Sequence, residues 1–247
     1  MEAAKYMSAL SERSPNVLEP WMEAIFRSLT DENSTVRLIV IQCLLSLTLN
    51  DMLLVKSYVA QVVKCLNDEN NTVSELAKLF FTSLATRDQK LYNALPDIIS
   101  RLTDPSSRTD PDQDKSADEA FKFQIEYLLQ YIEKDKHLDA LFEKLTSRLI
   151  RAVDDRQILE LSFCLSQIKS ITNKGTKAFL LLASENKDEI TKVLGFKLCY
   201  DSYKRLFKDE FSKEALEKIN SFREKFEQED RANKLQASKS KSRRKKK

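Results

Sequence analysis

Residues 29–51, LTDENSTVRLIVIQCLLSLTLND, return with changes as residues 66–88, LNDENNTVSELAKLFFTSLATRD. Six residues recur at a constant displacement of 37 residues: Leu29, Asp31, Asn33, Val36, Leu47 and Asp51 match Leu66, Asp68, Asn70, Val73, Leu84 and Asp88. A third copy begins with Leu102 and Asp104, displaced by 36 residues. A constant period of this length is typical of a repeat architecture.

Each copy of the repeat predicts a hairpin of two α-helices. In the first copy, Val36, Val40 and Leu47 belong to an apolar stripe with helical period. Segments 21–29 and 53–66 carry apolar stripes of their own. The Asp and Asn residues of the intervening turn cap a following helix, because their side chains accept hydrogen bonds from its first N–H groups. One hairpin cannot bury both of its faces, so we expect an all-α fold, a HEAT-type α-solenoid of stacked hairpins.

Composition argues against catalysis. The chain has 247 residues, of which 42% are hydrophobic, but only 2 are glycine. Gly175 and Gly195 lie too far apart for the clustered glycines of dinucleotide-binding and P-loop motifs. One histidine, His137, and four cysteines without a CxxC pair leave no ligand set for zinc, and the cysteines are expected to be buried, reduced thiols. We therefore expect no enzyme activity, cofactor, metal site or small-molecule substrate.

Changes in composition divide the chain. Residues 1–103 hold the helix-hairpin repeats, and residues 104–118, rich in Asp, Ser and Pro, are expected to form a polar loop. Helical periodicity resumes over residues 119–230, where we expect further solenoid helices and a terminal helix. The apolar stripe of this last helix either closes the end of the solenoid or docks a partner helix. Gly195 lies in a helical stretch and is expected to mark a close helix contact.

Charge separates the carboxy-terminal tail from the rest of the chain. Residues 1–230 hold 32 basic and 38 acidic residues, whereas residues 231–247 hold nine basic residues and no acidic one. Apolar content also collapses there, so residues 231–247 are expected to be a disordered basic tail. The tail resembles a nuclear-import signal and is suited to sequence-nonspecific contact with DNA phosphates, because no interleaved aromatic residue supports base stacking. The alternative is a solvated basic end without a dedicated partner. The residues assigned to import and phosphate contact are Lys239, Lys241, Arg243, Arg244, Lys245, Lys246 and Lys247.

Three segments carry sequence that is specific enough to indicate a particular protein family, beyond the helical periodicity. They are ELAKLFFTSLATRDQKLYNALPDIISRLTDP at residues 75–105, YLLQYIEKDKHLDALFEKLTSRL at residues 127–149 and FCLSQI at residues 163–168. In this order and spacing they resemble the carboxy-terminal HEAT repeats of the condensin complex subunit 1 family, the large non-SMC regulatory subunits of condensin. The resemblance covers roughly residues 20–170. Members of the family are much longer, so only their carboxy-terminal part is matched.

The resemblance implies a non-catalytic scaffold of a chromosome complex. In that family the HEAT subunit binds the kleisin subunit and the heads of the SMC ATPases, contacts chromatin and DNA, and acts in mitotic chromosome condensation. The resemblance also implies a location in the nucleus and on chromosomes, with a cytoplasmic phase in part of the cell cycle. The alternative function is that of an unrelated HEAT or armadillo adaptor in transport or translation. No membrane partner is expected, because the longest apolar stretch, residues 38–49, is too short to span a bilayer.

Two groups of residues are singled out within the repeats. The turn element with Asp31, Arg37 and Asp68 resembles the HEAT turn in which Asp and Arg form a ladder between adjacent repeats, a structural role. Ser74 stands where the second copy would need its Arg, which interrupts that ladder. The second group is open to two interpretations: a partner-docking surface, or the first turn of a helix, where Pro and an acidic residue are favoured. Its residues are Tyr92, Asn93, Pro96 and Asp97.

Overall fold

The structure is a computed structural model. It describes residues 6, 17, 19–50, 59–86, 90–107, 114–208 and 212–244, and of these the side chains at 19, 90, 107, 114–116 and 235–244 are not described.

Across these described ranges the secondary structure is entirely helical, which confirms the all-α prediction. Short 3-10 turns cover Glu19–Trp21, Ser28–Thr30, Cys65–Asn67 and Pro105–Ser107. The α-helices are α1 Met22–Arg27, α2 Ser34–Leu49, α3 Val59–Lys64, α4 Asn71–Thr86, α5 Lys90–Leu102, α6 Asp114–Leu129, α7 Asp135–Arg151, α8 Asp155–Ser166, α9 Asn173–Glu185, α10 Lys187–Leu194, α11 Lys197–Leu206 and α12 Lys213–Arg244.

The turns before α2 and α4 have the same internal geometry. Asp31 Oδ1 accepts a hydrogen bond from the backbone N–H of Asn33 at 2.8 Å, and Asn33 Oδ1 accepts one from Thr35 at 2.9 Å. In the second copy, Asp68 Oδ1 and Asn70 Oδ1 accept the equivalent bonds at 2.9 and 3.0 Å. Both residues therefore satisfy N–H groups that the helix itself leaves unpaired, which confirms the capping role predicted for this turn.

The two copies stack through their second helices. Helix α2 packs against α4, and most of the stripe predicted from periodicity is buried in both, whereas Val36 is half-buried. All four cysteines are buried free thiols, as expected from their apolar neighbours. The core of this stack includes Val40, Cys43, Leu44, Leu47, Val73, Ala77, Phe80 and Leu84.

The chain divides into two compact units, residues 1–132 and residues 133–247. This boundary lies after the predicted loop at 104–118, and that loop is shorter than expected, because α6 already begins at Asp114. Ala117, Asp118 and Glu119 account for the early start, since Ala favours helix and acidic residues stabilise its amino-terminal end. Apolar periodicity does not detect a helical turn of this polar composition.

An aromatic cluster forms the centre of the second unit. Phe142 of α7, Phe179 of α9 and Tyr203 of α11 are fully buried together with Phe207. Their ring centroids lie between 4.8 and 6.4 Å apart. The Tyr203 hydroxyl donates to Thr146 Oγ1 at 3.0 Å, so its polar end is satisfied inside the core.

The terminal helix α12 closes this unit. Ala215 and Ile219 on α12 are fully buried, and the helix contacts α10. At the end of α10, a Cβ atom on Gly195 would lie too close to the ring of Phe226 for an ordinary contact. Arg223 Nη1 donates to the carbonyls of Leu194 and Gly195 at 2.6 and 2.7 Å. The close contact expected at Gly195 is thereby confirmed, and the apolar stripe of the last helix covers the unit's own core.

The predicted disorder from Arg231 is wrong for residues 231–244, which continue α12 as helix. Lys, Arg, Gln and Ala are strong helix formers even where no core is buried. Ion pairs four residues apart add to this: Arg231 lies 3.7 Å from Glu227, and Lys234 lies 2.6 Å from Asp230. Because residues 231–244 have few apolar side chains, this part of α12 does not pack on the core, but it remains helical. Residues 245–247 of the predicted tail lie outside the described residues.

We expect Gly195→Ala to lower the free energy of unfolding by about 1–3 kcal/mol, the cost of overpacking a close contact. The backbone φ at Gly195 is −60°, which alanine adopts freely, so the cost arises from the Phe226 ring. Urea denaturation followed by circular dichroism measures it. In the Phe226→Leu background the ring is gone, so Gly195→Ala should cost much less there. The double variant Gly195→Ala/Phe226→Leu should therefore be nearly as stable as Phe226→Leu alone. An unchanged midpoint for Gly195→Ala would show that the ring yields without cost.

Candidate interaction surfaces

Arg37 joins the turns of the two repeats. Its Nε donates to Asp68 Oδ2 at 2.7 Å and its Nη2 to Asp68 Oδ1 at 2.8 Å, a bidentate ion pair. The remaining donor, Nη1, binds the backbone carbonyls of Asp31 at 2.8 Å and Glu32 at 3.1 Å. The two side chains of the pair are only 14% and 6% exposed. Arg37 therefore contacts the turn that begins its own helix and the turn that begins the next one.

The charges of this pair stabilise each other. Burial alone raises the pKa of Asp68, but hydrogen bonds from Arg37 and from the Asn70 N–H outweigh it, so the pKa lies below its ordinary value. The hydrogen bond to Asp68 raises the pKa of Arg37. Both groups are thus ionised throughout the neutral range.

The ladder does not continue through the second repeat in the same form. Ser74, at the position equivalent to Arg37, donates its hydroxyl to the Leu66 carbonyl at 2.8 Å, a bond within its own repeat. The side chain of Asn67 instead accepts a bond from Gln124 Nε2 of α6 at 3.0 Å. An amide pair takes over the link between the second turn and the next helix.

The residues from Tyr92 to Asp97 do not form one surface. They lie in the interior of α5, so the interpretation of this stretch as the first turn of a helix is wrong. Pro96 is buried, Tyr92 is half-buried, and only Asn93 and Asp97 are exposed. Proline inside a helix lacks an N–H to donate to the preceding turn and usually bends the helix. Proline is therefore commoner in the first turn of a helix, and this preference favoured the wrong interpretation. Any docking through this stretch falls to Asn93 and Asp97.

The basic residues assigned to import and phosphate contact divide at Arg244. The backbone of Lys239, Lys241, Arg243 and Arg244 belongs to α12, whereas Lys245, Lys246 and Lys247 lie outside the described residues. Nearer the folded unit, the side chains of Arg231 and Lys234 are 78% and 76% exposed. The described part of the basic segment, up to Arg244, is thus a continuation of α12.

An aromatic row on α6 was not identified as a site from the sequence. Tyr127 stacks on Phe123, with ring centroids 6.2 Å apart, and meets Tyr131 edge-on at 5.6 Å. The Tyr127 hydroxyl donates to the Lys78 carbonyl at 3.1 Å, and the Tyr131 hydroxyl lies 2.9 Å from Thr82 Oγ1. Burial and the Tyr131 bond raise the pKa of Tyr127 to about 12. Phe123, Tyr127 and Tyr131 are spaced four residues apart, and this spacing is the signal that the sequence carries for the row. The apolar stripe of the same helix is the stronger pattern, so the row was missed.

Two kinds of site are absent from the part of the chain that the structure describes. There, no cluster of three or more His, Cys, Asp or Glu side chains has a geometry that could hold a metal ion. None of the helices described there is long and apolar enough to cross a membrane.

Stacked helix hairpins, joined by side chains that reach from one turn to the next, define a helical-repeat protein whose candidate sites are surfaces. Comparison with known proteins gives the family. The model for Cnd1, non-SMC mitotic condensation complex subunit 1, matches residues 3–166. The chain therefore belongs to this condensin subunit family, and the alternative of an unrelated adaptor is wrong.

Curated relatives agree with the family assignment. The condensin-1 complex subunit CAP-D2 of Arabidopsis thaliana is 34% identical over 231 residues, 90% of this chain and 16% of the relative. Condensin complex subunit 1 of Xenopus laevis is 38% identical over 157 residues, 64% of this chain and 11% of the relative. The Homo sapiens protein is 35% identical over 171 residues, 69% of this chain and 12% of the relative. The chain thus spans 16% or less of the length of these relatives.

Among solved structures, an engineered protein aligns with 89% of this chain and 64% of its own, at 16% identity and a TM-score of 0.35. The fold described above rests on the helices of the chain itself.

We expect Arg37→Ala to lower the free energy of unfolding by about 3–5 kcal/mol, because it leaves the Asp68 carboxylate buried without its guanidinium partner. Urea denaturation of the chain measures the loss. Arg27→Ala is the matched control: Arg27 pairs with Glu23, but the two side chains are 74% and 63% exposed, and exposed pairs contribute about 0–1 kcal/mol.

Acid titration separates the ion pair from simple packing. The folded-state pKa of Asp68 is lowered, so its contribution is complete above the unfolded value of about 3.9 and is lost as pH falls through the folded pKa. The stability difference between wild type and Asp68→Asn should therefore shrink below about pH 4. If the stability difference between wild type and Asp68→Asn stays constant as the pH falls below about 4, the effect arises from packing and not from the charge of Asp68.

Proposed function

We propose that this chain is a non-catalytic scaffold of the condensin complex, which binds the kleisin subunit and the SMC ATPase heads through its helical-repeat surfaces. The observation that carries the proposal is the family match over residues 3–166. The paired turns support it, because Arg37 and Asp68 hold adjacent repeats in one register and so keep a binding surface in a constant shape. The role that follows is mitotic chromosome condensation, in the nucleus and on chromosomes, with a cytoplasmic phase in part of the cell cycle.

The second part of the proposal concerns the carboxy-terminal basic segment. Helix α12 is anchored through Ala215, Ile219 and Arg223, and its continuation over residues 231–244 rises about 21 Å at 1.5 Å per residue. Residues 239–247 contain the seven assigned basic residues, two serines and no acidic residue. Such a segment neutralises DNA phosphates irrespective of base sequence and also suits recognition by the import machinery.

Exposed residues on α5 are a further candidate for protein contact. Asn93 and Asp97 lie four residues apart, on the same side of the helix, and both are exposed. They offer one amide and one carboxylate to a partner, whereas the buried Pro96 only shapes the helix that carries them.

We expect replacement of Lys239, Lys241, Arg243, Arg244, Lys245, Lys246 and Lys247 by Gln to flatten the salt dependence of duplex DNA binding. Each lost phosphate contact lowers the slope of log K against log salt by about 0.9. Fluorescence anisotropy at several salt concentrations measures the slope, and microscopy of the tagged chain measures nuclear import. Glutamine keeps the helix propensity, so the length of α12 is retained. Lys134→Gln/Lys136→Gln, in the exposed residues at the start of α7, controls for charge removal elsewhere. Unchanged slope and import would remove the tail from the proposal.

The scaffold role is tested by binding to purified subunits. We expect isothermal titration calorimetry to show an interaction of the folded chain with the kleisin subunit, whereas ATP hydrolysis by the chain alone should equal the buffer blank. No heat of binding with kleisin or with SMC heads would contradict the scaffold role. Hydrolysis above the blank would contradict its non-catalytic nature.

A further inference from the structure

Helix α12 leaves the core of the second unit a few residues before its basic part begins. The ring of Phe226 lies against Gly195 at the end of α10. Arg231 follows five residues later, a rise of about 7.5 Å along the helix. The side chains of Arg231 and Lys234 are 78% and 76% exposed. These two residues are therefore the first basic ones of α12 beyond the part that packs on the unit.

Each of these two cations is paired with a carboxylate four residues earlier. Lys234 Nζ donates a hydrogen bond to Asp230 Oδ2 at 2.6 Å. Arg231 Nη2 lies 3.7 Å from Glu227 Oε2. The other oxygen of that carboxylate, Oε1, accepts a hydrogen bond from Arg223 Nε at 3.1 Å. Glu227 is therefore shared between two arginines, whereas Asp230 holds Lys234 directly.

The two carboxylates and the two cations lie on one side of α12. With 3.6 residues in a turn, Glu227, Asp230, Arg231 and Lys234 fall within about 100° of each other around the helix axis. Along this side the charge changes from negative to positive within about 10.5 Å. Position 241, one of the assigned basic residues, falls on the same side two turns later. A phosphate that approaches Arg231 or Lys234 therefore meets a neighbouring carboxylate.

The other charged residues of this part of α12 leave that order unchanged. Glu224 lies one turn before Glu227 on the same side, is exposed, and adds a negative charge. Arg223 lies there too, but its Nη1 donates to the carbonyl end of α10. Lys225 and Glu229 lie more than about 100° away around the helix axis and pair with each other at 3.8 Å. The carboxylates thus end where Arg231 begins the basic part.

We propose that Arg231 and Lys234 are DNA-phosphate contacts, and that Glu227 and Asp230 compete with the phosphates for them. A phosphate that binds Lys234 replaces the Asp230 carboxylate, and one that binds Arg231 replaces Glu227. This inference rests on the proposed contact of the basic segment with DNA. It adds two residues that bind the phosphates and two that limit the affinity and set the boundary of the contact.

The chemistry of the exchange favours duplex DNA over an acidic polypeptide. Exposed ion pairs are weak, so another anion can displace them. Duplex DNA carries one negative charge per about 1.7 Å, and its binding releases condensed counterions, which adds a favourable free energy. A carboxylate of an acidic polypeptide that replaces Asp230 exchanges one carboxylate for another and has no such gain.

Replacing the two cations tests whether they contact DNA. We expect Arg231→Gln/Lys234→Gln in the full chain to lower the slope of log K against log salt by about 1.8, since each lost contact removes about 0.9. Fluorescence anisotropy with a short labelled duplex of mixed sequence measures the slope. Lys218→Gln is the matched control, because Lys218 pairs with Glu214 at 3.4 Å in the anchored part of the same helix. Its slope should equal that of the wild type.

Replacing the carboxylates tests the competition. We expect Asp230→Asn to bind the duplex about two- to fivefold more tightly than wild type at low salt, with a smaller gain at high salt. Glu214→Gln, which removes one acidic charge from the anchored part of α12, should bind like wild type. In the Lys234→Gln background the gain from Asp230→Asn should largely disappear, because the carboxylate then has no cation to release. An equal gain in both backgrounds would contradict competition for Lys234.

The outcomes separate this inference from the proposed function. Circular dichroism checks that each variant keeps its helix content. If the wild-type chain binds the duplex and Arg231→Gln/Lys234→Gln keeps the wild-type slope, the inference is wrong while the proposed DNA contact stands. A labelled polyglutamate peptide that binds as tightly as the duplex, and loses affinity in this double variant, would also overturn it. If the wild-type chain binds no duplex, the proposed DNA contact and the inference fail together.

Discussion

A short helix hairpin has two apolar faces and can bury only part of them by itself, and this constraint shapes the rest of the protein. Stacking satisfies it in the first unit, where α2 and α4 bury each other's stripes. Once stacking is required, the turns are brought side by side, and side chains that bridge neighbouring turns become available. Arg37 uses this proximity to bind Asp68 while also holding the carbonyls of its own turn.

The second unit solves the same problem differently at its end. Helix α12 covers the core with its first turns, and Arg223 fixes it by capping the carbonyl end of α10. Beyond the covered part the same helix continues with a polar and then basic composition. One element thus serves both as the cap of the second unit and as the carrier of the basic residues up to Arg244.

The distribution of charge supports a division of labour between surfaces. Residues 1–230 hold 32 basic and 38 acidic residues, whereas residues 231–247 hold nine basic residues and no acidic one. Surfaces of opposite sign select different partners, since each attracts one class of molecule and repels the other. This distribution supports the proposal that the chain contacts protein subunits through its repeats and nucleic acid through its basic segment.

The sequence by itself determined the helix hairpins, their caps and the family, because periodicity and capping residues act over a few neighbouring positions and the repeat shows them twice. Only the tertiary structure decided that Arg37 binds Asp68, that Phe226 occupies the space beside Gly195, and which apolar residues stay exposed. These outcomes depend on residues far apart in the chain. The loop near 104–118 and the tail after Arg231 were mispredicted for a related reason: polar residues form helix without leaving an apolar period.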